Sequence, residues 1–342
     1  MPNRDVLILK GDEIDAALQG REQEIIDTVE AAYKVHAVGD SSLPNSLFLR
    51  FPNDDRNRII ALPAFLGRQF NVAGMKWVSS FPGNLDKGLN RASAVIVMNS
   101  AETGRAEVIM EGSLISAKRT AASAALAARL IHVGSAPDTV GILGCGPINF
   151  EVTRFLSVVF PKIERLLVFD VDASRARQFK ENCAELNAHW SVEVVMESRQ
   201  LLGAANVVSL ATTAIHPHIF DVSMCPREST ILHVSLRDFS PEVILSADNV
   251  VDDVDHVCRA QTSVHLAEQI VGNRNFIRCT LADIANGAAK PKKNSEAVTI
   301  FSPFGLGVLD MAVGKLASDF ATQRGFGTLI ESFLPPSYNE KH

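Results

Sequence analysis

The chain has 342 residues, of which 46% are hydrophobic and 21% charged, and a formal net charge of −6. That is long enough for two domains with separate cores, in the composition of an ordinary globular protein. The acidic balance gives no electrostatic reason to expect nucleic acid or an anionic membrane as partner. Five cysteines, Cys145, Cys183, Cys225, Cys258 and Cys279, show no paired spacing. They point to reduced thiols in a cytoplasmic protein, not to a disulfide frame or zinc site. Asp5, Lys10, Asp12 and Glu13 precede any long apolar run, so no signal peptide is expected. The apolar stretch 120–131 is too short to span a bilayer.

In chain order, residues 6–9 read as a short strand. Residues 22–38 place Ile25, Val29, Ala32, Tyr33 and His36 at helical spacing, with Gly39 as the stop. His36 on that face reads as a core histidine more readily than as a ligand. From 46 to 111 the period becomes that of strands, at 46–51, 58–62, 72–79, 94–98 and 106–110. The last two flank a hairpin loop ending at Gly104, and an antiparallel or mixed sheet is implied. Residues 114–132 form an alanine-rich helix ended by Gly134, placed to bridge two domains. From 139 to 302 strands at 140–143, 166–170, 192–195, 207–210, 231–234, 250–252 and 298–301 alternate with helices. That is the rhythm of a doubly wound parallel α/β sheet. A helix at 308–322 is expected to pack back on the first domain, ahead of a polar tail. Residues 1–125 with 308–342 are thus expected to form a mixed-sheet α+β domain, and 126–307 a Rossmann domain. The basic loop Lys290-Pro-Lys-Lys-Asn294 reads as solvated surface.

The second half is organised around Thr139-Val-Gly-Ile-Leu-Gly-Cys-Gly-Pro-Ile-Asn149. A short apolar strand runs into Gly144-Cys145-Gly146, and Pro147 suits the first turn of a helix, where its missing N–H is no loss. Glycines allow close backbone approach, and the free N–H groups of the helix end attract a pyrophosphate. The next apolar run ends in Asp170, about 20 residues further on, as expected of the acid that takes the ribose hydroxyls of NAD. Asn149 stands where a third glycine is usual, which suggests looser helix–strand packing. The plainer alternative is a tight strand-to-helix turn with Asp170 at a strand end.

Arg50, Lys76 and Arg119 lie in apolar contexts in the first half, and Arg91 precedes a strand. Each alone could be the solvent-facing half of an alternating strand. Together they suggest a pocket for carboxylates, which guanidinium groups pair bidentately. Asp238 follows the strand 231–234 at its carboxyl end, where ligands of such sheets gather. It could be a general base or a helix N-cap ahead of Pro241. Thr212 and Thr213 follow the strand 207–210 at the same edge, as cofactor contacts or turn residues. His216-Pro217-His218 and Asp252-Asp253-Val254-Asp255-His256 lack metal-ligand spacing, and no metal is expected.

With these residues in view, the chain resembles the ornithine cyclodeaminase/mu-crystallin family over about residues 50–310. Met110-Glu-Gly-Ser-Leu-Ile-Ser-Ala-Lys-Arg-Thr-Ala-Ala122 is the most specific piece, supported by Gly74-Met-Lys-Trp77, Glu102-Thr-Gly104 and Gly305-Leu-Gly-Val-Leu-Asp310. The resemblance implies a homodimer whose mixed-sheet domain serves dimerisation and, with a Rossmann domain, holds the substrate. Lys76 and Arg119 would hold the amino-acid end, and Asp238 would be the acid/base, kept ionised by Lys76. Gly144, Gly146, Pro147, Ile148, Asn149, Asp170, Thr212, Thr213 and Ser235 would bind NAD.

Lys76-Trp77, Arg91-Ala-Ser93, Ser113-Leu-Ile-Ser116 and Ser302-Pro303 resemble the branch that makes L-2,3-diaminopropionate, a siderophore or peptide-antibiotic precursor. That branch oxidises N-(2-amino-2-carboxyethyl)-L-glutamate with NAD, also yielding 2-oxoglutarate. Arg91, where cyclodeaminases commonly carry threonine, would suit a substrate with three carboxylates, alongside Arg50. Ornithine cyclodeamination to proline and ammonia is the alternative, followed by a ketimine reductase or amino-acid dehydrogenase.

Overall fold

The computed structural model describes residues 4–294 and 296–336, Asp55 without its side chain. The chain divides into two compact units, one made of residues up to Arg119 and from Leu306 onward, the other of Thr120–Gly305. The first division falls inside one continuous helix.

The first unit opens with β1 (Val6–Leu9), α1 (Gly11–Leu18) and α2 (Glu22–Ala37). The strands β2 (Ser41–Ser42), β3 (Leu47–Phe51), β4 (Asp54–Leu66), β5 (Val72–Ser80), β6 (Ala92–Ser100) and β7 (Ala106–Glu111) follow. The helix α3 (Ser113–Ile131) then leaves the unit. Helix α1 was not expected. Its acidic residues hide a three-residue apolar stripe, Ile14, Ala17 and Leu18, and Glu13 closes a capping box on Lys10. Strand β4 continues through Pro63, which had marked its predicted end. Pro63 falls between the stretches of β4 paired with β3 and with β2, an edge where proline is tolerated.

The second unit holds β8 (Thr139–Leu143), α4 (Pro147–Val159), β9 (Arg165–Phe169), α5 (Ala173–Leu186), β10 (Ser191–Val194), α6 (Ser198–Ala204), β11 (Val207–Leu210) and β12 (Thr230–His233). After them come α7 (Pro241–Ser246), β13 (Asp248–Val251), α8 (Val254–Val257), α9 (Ser263–Val271), β14 (Ile277–Thr280), α10 (Leu281–Ala285) and β15 (Thr299–Ser302). All pairings are parallel, in the order β10-β9-β8-β11-β12-β15-β13-β14. Chain direction across the sheet reverses between β8 and β11, the crevice where doubly wound sheets bind ligands. Strand β14 was unforeseen because it is a half-buried edge strand interrupted by Arg278. The loop expected to be solvated carries a buried lysine instead: Lys292 Nζ donates to the carbonyls of Glu228 (2.6 Å) and Ser229 (3.0 Å).

The chain returns to the first unit as α11 (Gly307–Gln323) and β16 (Thr328–Ile330). The latter pairs antiparallel with β1 inside the stretch expected to be a polar tail, whose residues 337–342 lie outside the described ones. The sheet runs β16-β1-β7-β6-β5-β4-β2, with β3 also on β4, and is antiparallel except for β1 against β7. Helix α11 packs on β4, β5 and β6. A Cβ at Gly74 would run into Val97 O and stand 2.8 Å from Met311 Sδ, so only glycine lets helix and strands approach this closely. The opposite face leaves Leu47, Trp77 and Val95, 69%, 39% and 43% exposed, in adjoining register across β3 to β6.

Candidate active site

In the first unit the sheet face under α11 carries Lys76. Asp310 shares a helix face with Gly307 and Gly314 by its i−3 and i+4 spacing, and so is directed at the strands. Its carboxylate is fully buried between two cations: Arg119 Nε donates to Oδ1 at 2.9 Å, and Lys76 Nζ lies 2.7 Å from Oδ2. The second is a charge contact off the hydrogen-bonding direction of Oδ2. Ser116 Oγ accepts from Lys76 Nζ at 3.0 Å and lies 3.5 Å from Arg119 Nη2. Burial works to raise the Asp310 pKa, but Arg119 and Lys76 hold it below the usual carboxylate value. Burial, helped by the Arg119 charge and opposed by Asp310, pushes Lys76 down to about 8. Two cations therefore share one anion. Asp310 was visible in the sequence only as the end of a motif; its pairing with Lys76 and Arg119 was not.

Four residues along β5 from Lys76, about 13 Å of strand, the same face holds Ser80. Arg91 Nη1 donates to Ser80 Oγ at 3.2 Å. No acid pairs with Arg91 among the described residues, and burial alone lowers its pKa. Arg58 stands opposite Ser80, and Arg50 opposite Arg58. Arg50 is exposed, its guanidinium 5.7 Å from the Phe48 ring. Sequence reasoning passed over Arg58, whose register partner makes it part of this row. His36 is half-buried, with Nδ1 2.7 Å from Ser41 Oγ.

In the second unit the carboxyl ends of β8, β9, β11, β12 and β15 form one edge. Gly144 sits at φ +91°, and a Cβ there would be 2.5 Å from Ala211 O, so the turn admits no side chain. A Cβ on Gly146 would meet nothing within 4 Å, which leaves open space in front of the α4 N-terminus. Pro147 has no N–H, so Ile148 and Asn149 supply the free donors there. Asp170 accepts from Cys145 N (2.8 Å) and Asp172 N (2.9 Å), one per oxygen, which anchors the carboxylate and leaves lone pairs for two hydroxyls. Glycine turn, helix end and acid fit a dinucleotide. Val171 and Met196, after β9 and β10, are 95% and 83% exposed.

Asn149 corrects the expectation of looser packing. It is fully buried, its Nδ2 donates to Leu143 O (2.9 Å) and Gly144 O (2.7 Å), and Oδ1 accepts from Ser209 Oγ (2.7 Å). The amide bolts helix to strands through bonds a glycine could not make.

Asp238 is fully buried at the same edge. The N-cap of α7 is Ser240, so the capping role considered for Asp238 falls. Oδ1 accepts from Thr212 Oγ1 (2.5 Å) and lies 3.1 Å from His218 Nε2; Oδ2 accepts from Ser235 Oγ (2.5 Å) and lies 3.2 Å from His233 Nε2. Burial opposes ionisation, but hydrogen bonds from His218, His233 and Ser235 drive its pKa far below the usual value. Those groups hold the charge on Asp238. Thr212 and Ser235, expected on the cofactor, are thus spent on Asp238, while Thr213 is exposed. His233 is fully buried, its Nδ1 3.2 Å from Ser302 Oγ and its ring edge-to-face with Phe239. Sequence reasoning missed it, because a histidine inside an apolar strand looks like filler. Leu236 takes a left-handed φ of +69°, turning the chain back so that Asp238 faces the strand ends. His256 Nδ1 is 2.8 Å from Asp253 Oδ1 at the start of α8, and no group of three or more metal-ligating side chains gathers among the described residues.

The parallel sheet, the glycine turn and the buried acid centre define a dinucleotide-binding α/β protein built for proton and hydride chemistry. The family model of the ornithine cyclodeaminase/mu-crystallin family matches residues 8–325, and the chain belongs to that family. It is 27% identical to the N-((2S)-2-amino-2-carboxyethyl)-L-glutamate dehydrogenase of Staphylococcus aureus, over 97% of this chain and all of that protein. Among solved structures it resembles the Thermococcus litoralis Delta(1)-pyrroline-2-carboxylate reductase in complex with NADH and L-proline. There the TM-score is 0.88 at 25% identity, covering 94% of this chain and 99% of the other. An archaeal alanine dehydrogenase dimer with bound NAD matches with a TM-score of 0.85 and 25% identity, over 96% and 99% of the two chains.

Proposed function

We propose that this chain is an NAD-dependent oxidoreductase that cleaves N-(2-amino-2-carboxyethyl)-L-glutamate to L-2,3-diaminopropionate and 2-oxoglutarate. The observation that carries the substrate is the surplus of positive charge on one sheet face. Lys76 and Arg119 share a single carboxylate, and Arg91, half-buried with no acid partner among the described residues, stands further along the same strands. A desolvated guanidinium is costly without an anion, and a substrate with three carboxylates supplies several. Lys76 and Arg119 would take the amino-acid end, and Arg91 with Arg50 and Arg58 the distal carboxylates. Full-length similarity to the staphylococcal dehydrogenase supports the same reading.

NAD, when bound, supplies the hydride acceptor. Gly144, Gly146, Ile148 and Asn149 would cradle its pyrophosphate, Asp170 its ribose hydroxyls, and Val171 with Met196 a face for adenine. A carboxylate at Asp170 repels a 2′-phosphate, so NAD should bind more tightly than NADP, and equal affinity would refute that role. The Asp238 centre is the acid–base site for loss of the amine proton and hydrolysis of the resulting imine. The exposed Leu47–Trp77–Val95 face would close a homodimer.

The test mixes protein, NAD and N-(2-amino-2-carboxyethyl)-L-glutamate and follows reduced nicotinamide and 2-oxoglutarate. Turnover with alanine or proline but not with the tricarboxylate would reject the substrate while keeping the oxidoreductase. Proline and ammonia from ornithine, without net reduced cofactor, would point to the cyclodeaminase instead.

A further inference from the structure

Within that acid–base centre, the geometry points to His218 as the residue that carries protons to and from the reacting atoms, with Asp238 as its buried counter-charge. The inference rests on the amine-oxidising reading above, though not on the exact substrate. Asp238 has no exposed surface, and its two oxygens already face two hydroxyls and two imidazoles. A carboxylate so saturated is a poor proton acceptor, because each donor stabilises the charged form. His233 is equally enclosed, with a neighbour at each ring nitrogen.

His218 differs. Its side chain is 43% exposed, Nε2 lies 3.1 Å from Asp238 Oδ1, and Nδ1 has no hydrogen-bond partner among the described residues. The backbone fixes the pair as well. The amides of His218 and Ile219 both donate to Asp238 O (2.8 and 2.9 Å), and Ser240 N returns a bond to Ile219 O (3.0 Å). This places an imidazole between a buried carboxylate and the open carboxyl edge of the sheet, with the tautomer set by the carboxylate: Nε2 protonated, Nδ1 basic. The other titratable or charged neighbours are His233 on the second oxygen, Arg237, which donates to Ala260 O, and His216 two residues upstream.

The proton inventory suits such a group. Oxidation removes a hydride from carbon and a proton from nitrogen, leaving an imine; His218 Nδ1 takes that proton and releases it to solvent. When water adds, its oxygen bonds carbon, the C=N pair moves to nitrogen, and His218 transfers one water proton there. On collapse the second O–H proton follows the same route as C=O forms and the C–N bond breaks, so both water protons end on the leaving amine.

The test compares wild type, His218→Ala, Asp238→Asn and, as control, His216→Ala, using the tricarboxylate, alanine and proline as amines. Expected for His218→Ala is a loss in kcat of about 100-fold or more, the range for a lost acid–base group. KM and NAD affinity should stay unchanged, the acid limb of the pH–kcat profile should vanish, and added imidazole should restore turnover. Near-normal kcat in His218→Ala with a large loss in Asp238→Asn would overturn the inference and leave Asp238 itself as the base. Near-normal kcat in both variants would remove the whole centre from proton transfer. Absence of wild-type turnover with all three amines would overturn the oxidoreductase reading and the role of His218 with it.

Discussion

Replacing Asp310 by asparagine removes the one anion that two buried cations share. The carboxylate is fully enclosed, with Arg119 Nε at 2.9 Å and Lys76 Nζ at 2.7 Å. Breaking a buried pair from one side costs about 3–5 kcal/mol, because the charge left behind stays desolvated. For a domain of this size each kcal/mol lowers Tm by roughly 2–4 °C, giving a fall of about 6–20 °C. The pH dependence has a definite sign. The folded-state pKa of Asp310 lies below its ordinary value, so its stabilisation is complete above that ordinary value. It is lost only as pH falls through the lower folded one. Wild type should therefore keep the margin at neutral pH, and the variant should lack it. Removing Asp310 also removes the group that props up the Lys76 pKa, so Lys76 should be largely neutral near pH 7. The KM for an acidic substrate should then rise about 10-fold or more, the worth of a charged hydrogen bond. Thermal unfolding by circular dichroism, steady-state kinetics and an NAD titration check the three parts, with NAD affinity expected unchanged. A Tm within about 2 °C of wild type together with an unaltered KM would refute the shared-anion account.

Gly144→Ala should weaken NAD about tenfold or more, since a methyl there would sit 2.5 Å from Ala211 O at a φ of +91°; calorimetric titration checks this, and unchanged affinity would move the phosphates elsewhere. Asn149→Ala deletes three buried hydrogen bonds and should cost roughly 2–4 kcal/mol, read from the urea midpoint. A loss below about 0.5 kcal/mol would mean that water replaces the amide. Lys76 loses its proton as pH rises through about 8, so KM for the acidic substrate should climb above that pH. Lys76→Arg should shift this limb upward beyond reach, and an alkaline limb that stays in place would assign it to another group.

Much of the plan was legible because it is local. An apolar run, a glycine turn and a proline at a helix start are contiguous, and Asp170 follows at a countable distance. The alternation that gave β5 and β6 is likewise a property of neighbouring residues. What escaped was short, polar or at an edge: α1 with its three-residue stripe, β14 with Arg278 inside it, and β16 in a stretch that looks like tail. Lys292 shows the same limit, for nothing in a basic loop announces that two carbonyls far along the chain will enclose one of its lysines.

The sequence alone determined the doubly wound half, the glycine turn at a helix start with Asp170 at the next strand end, and which cations stand out of context. Tertiary structure decided what those side chains answer to. Asp310 meets Lys76 and Arg119 only because α11, nearly two hundred residues after α3 begins, lies flat on a sheet thinned by Gly74. Thr212 and Ser235 turn to Asp238, and His218 comes beside it, because β11 and β12 are adjacent and their loops fold over one edge. Charge pairing depends on distance in space, and that distance is fixed by the packing of remote segments, which no spacing along the chain encodes.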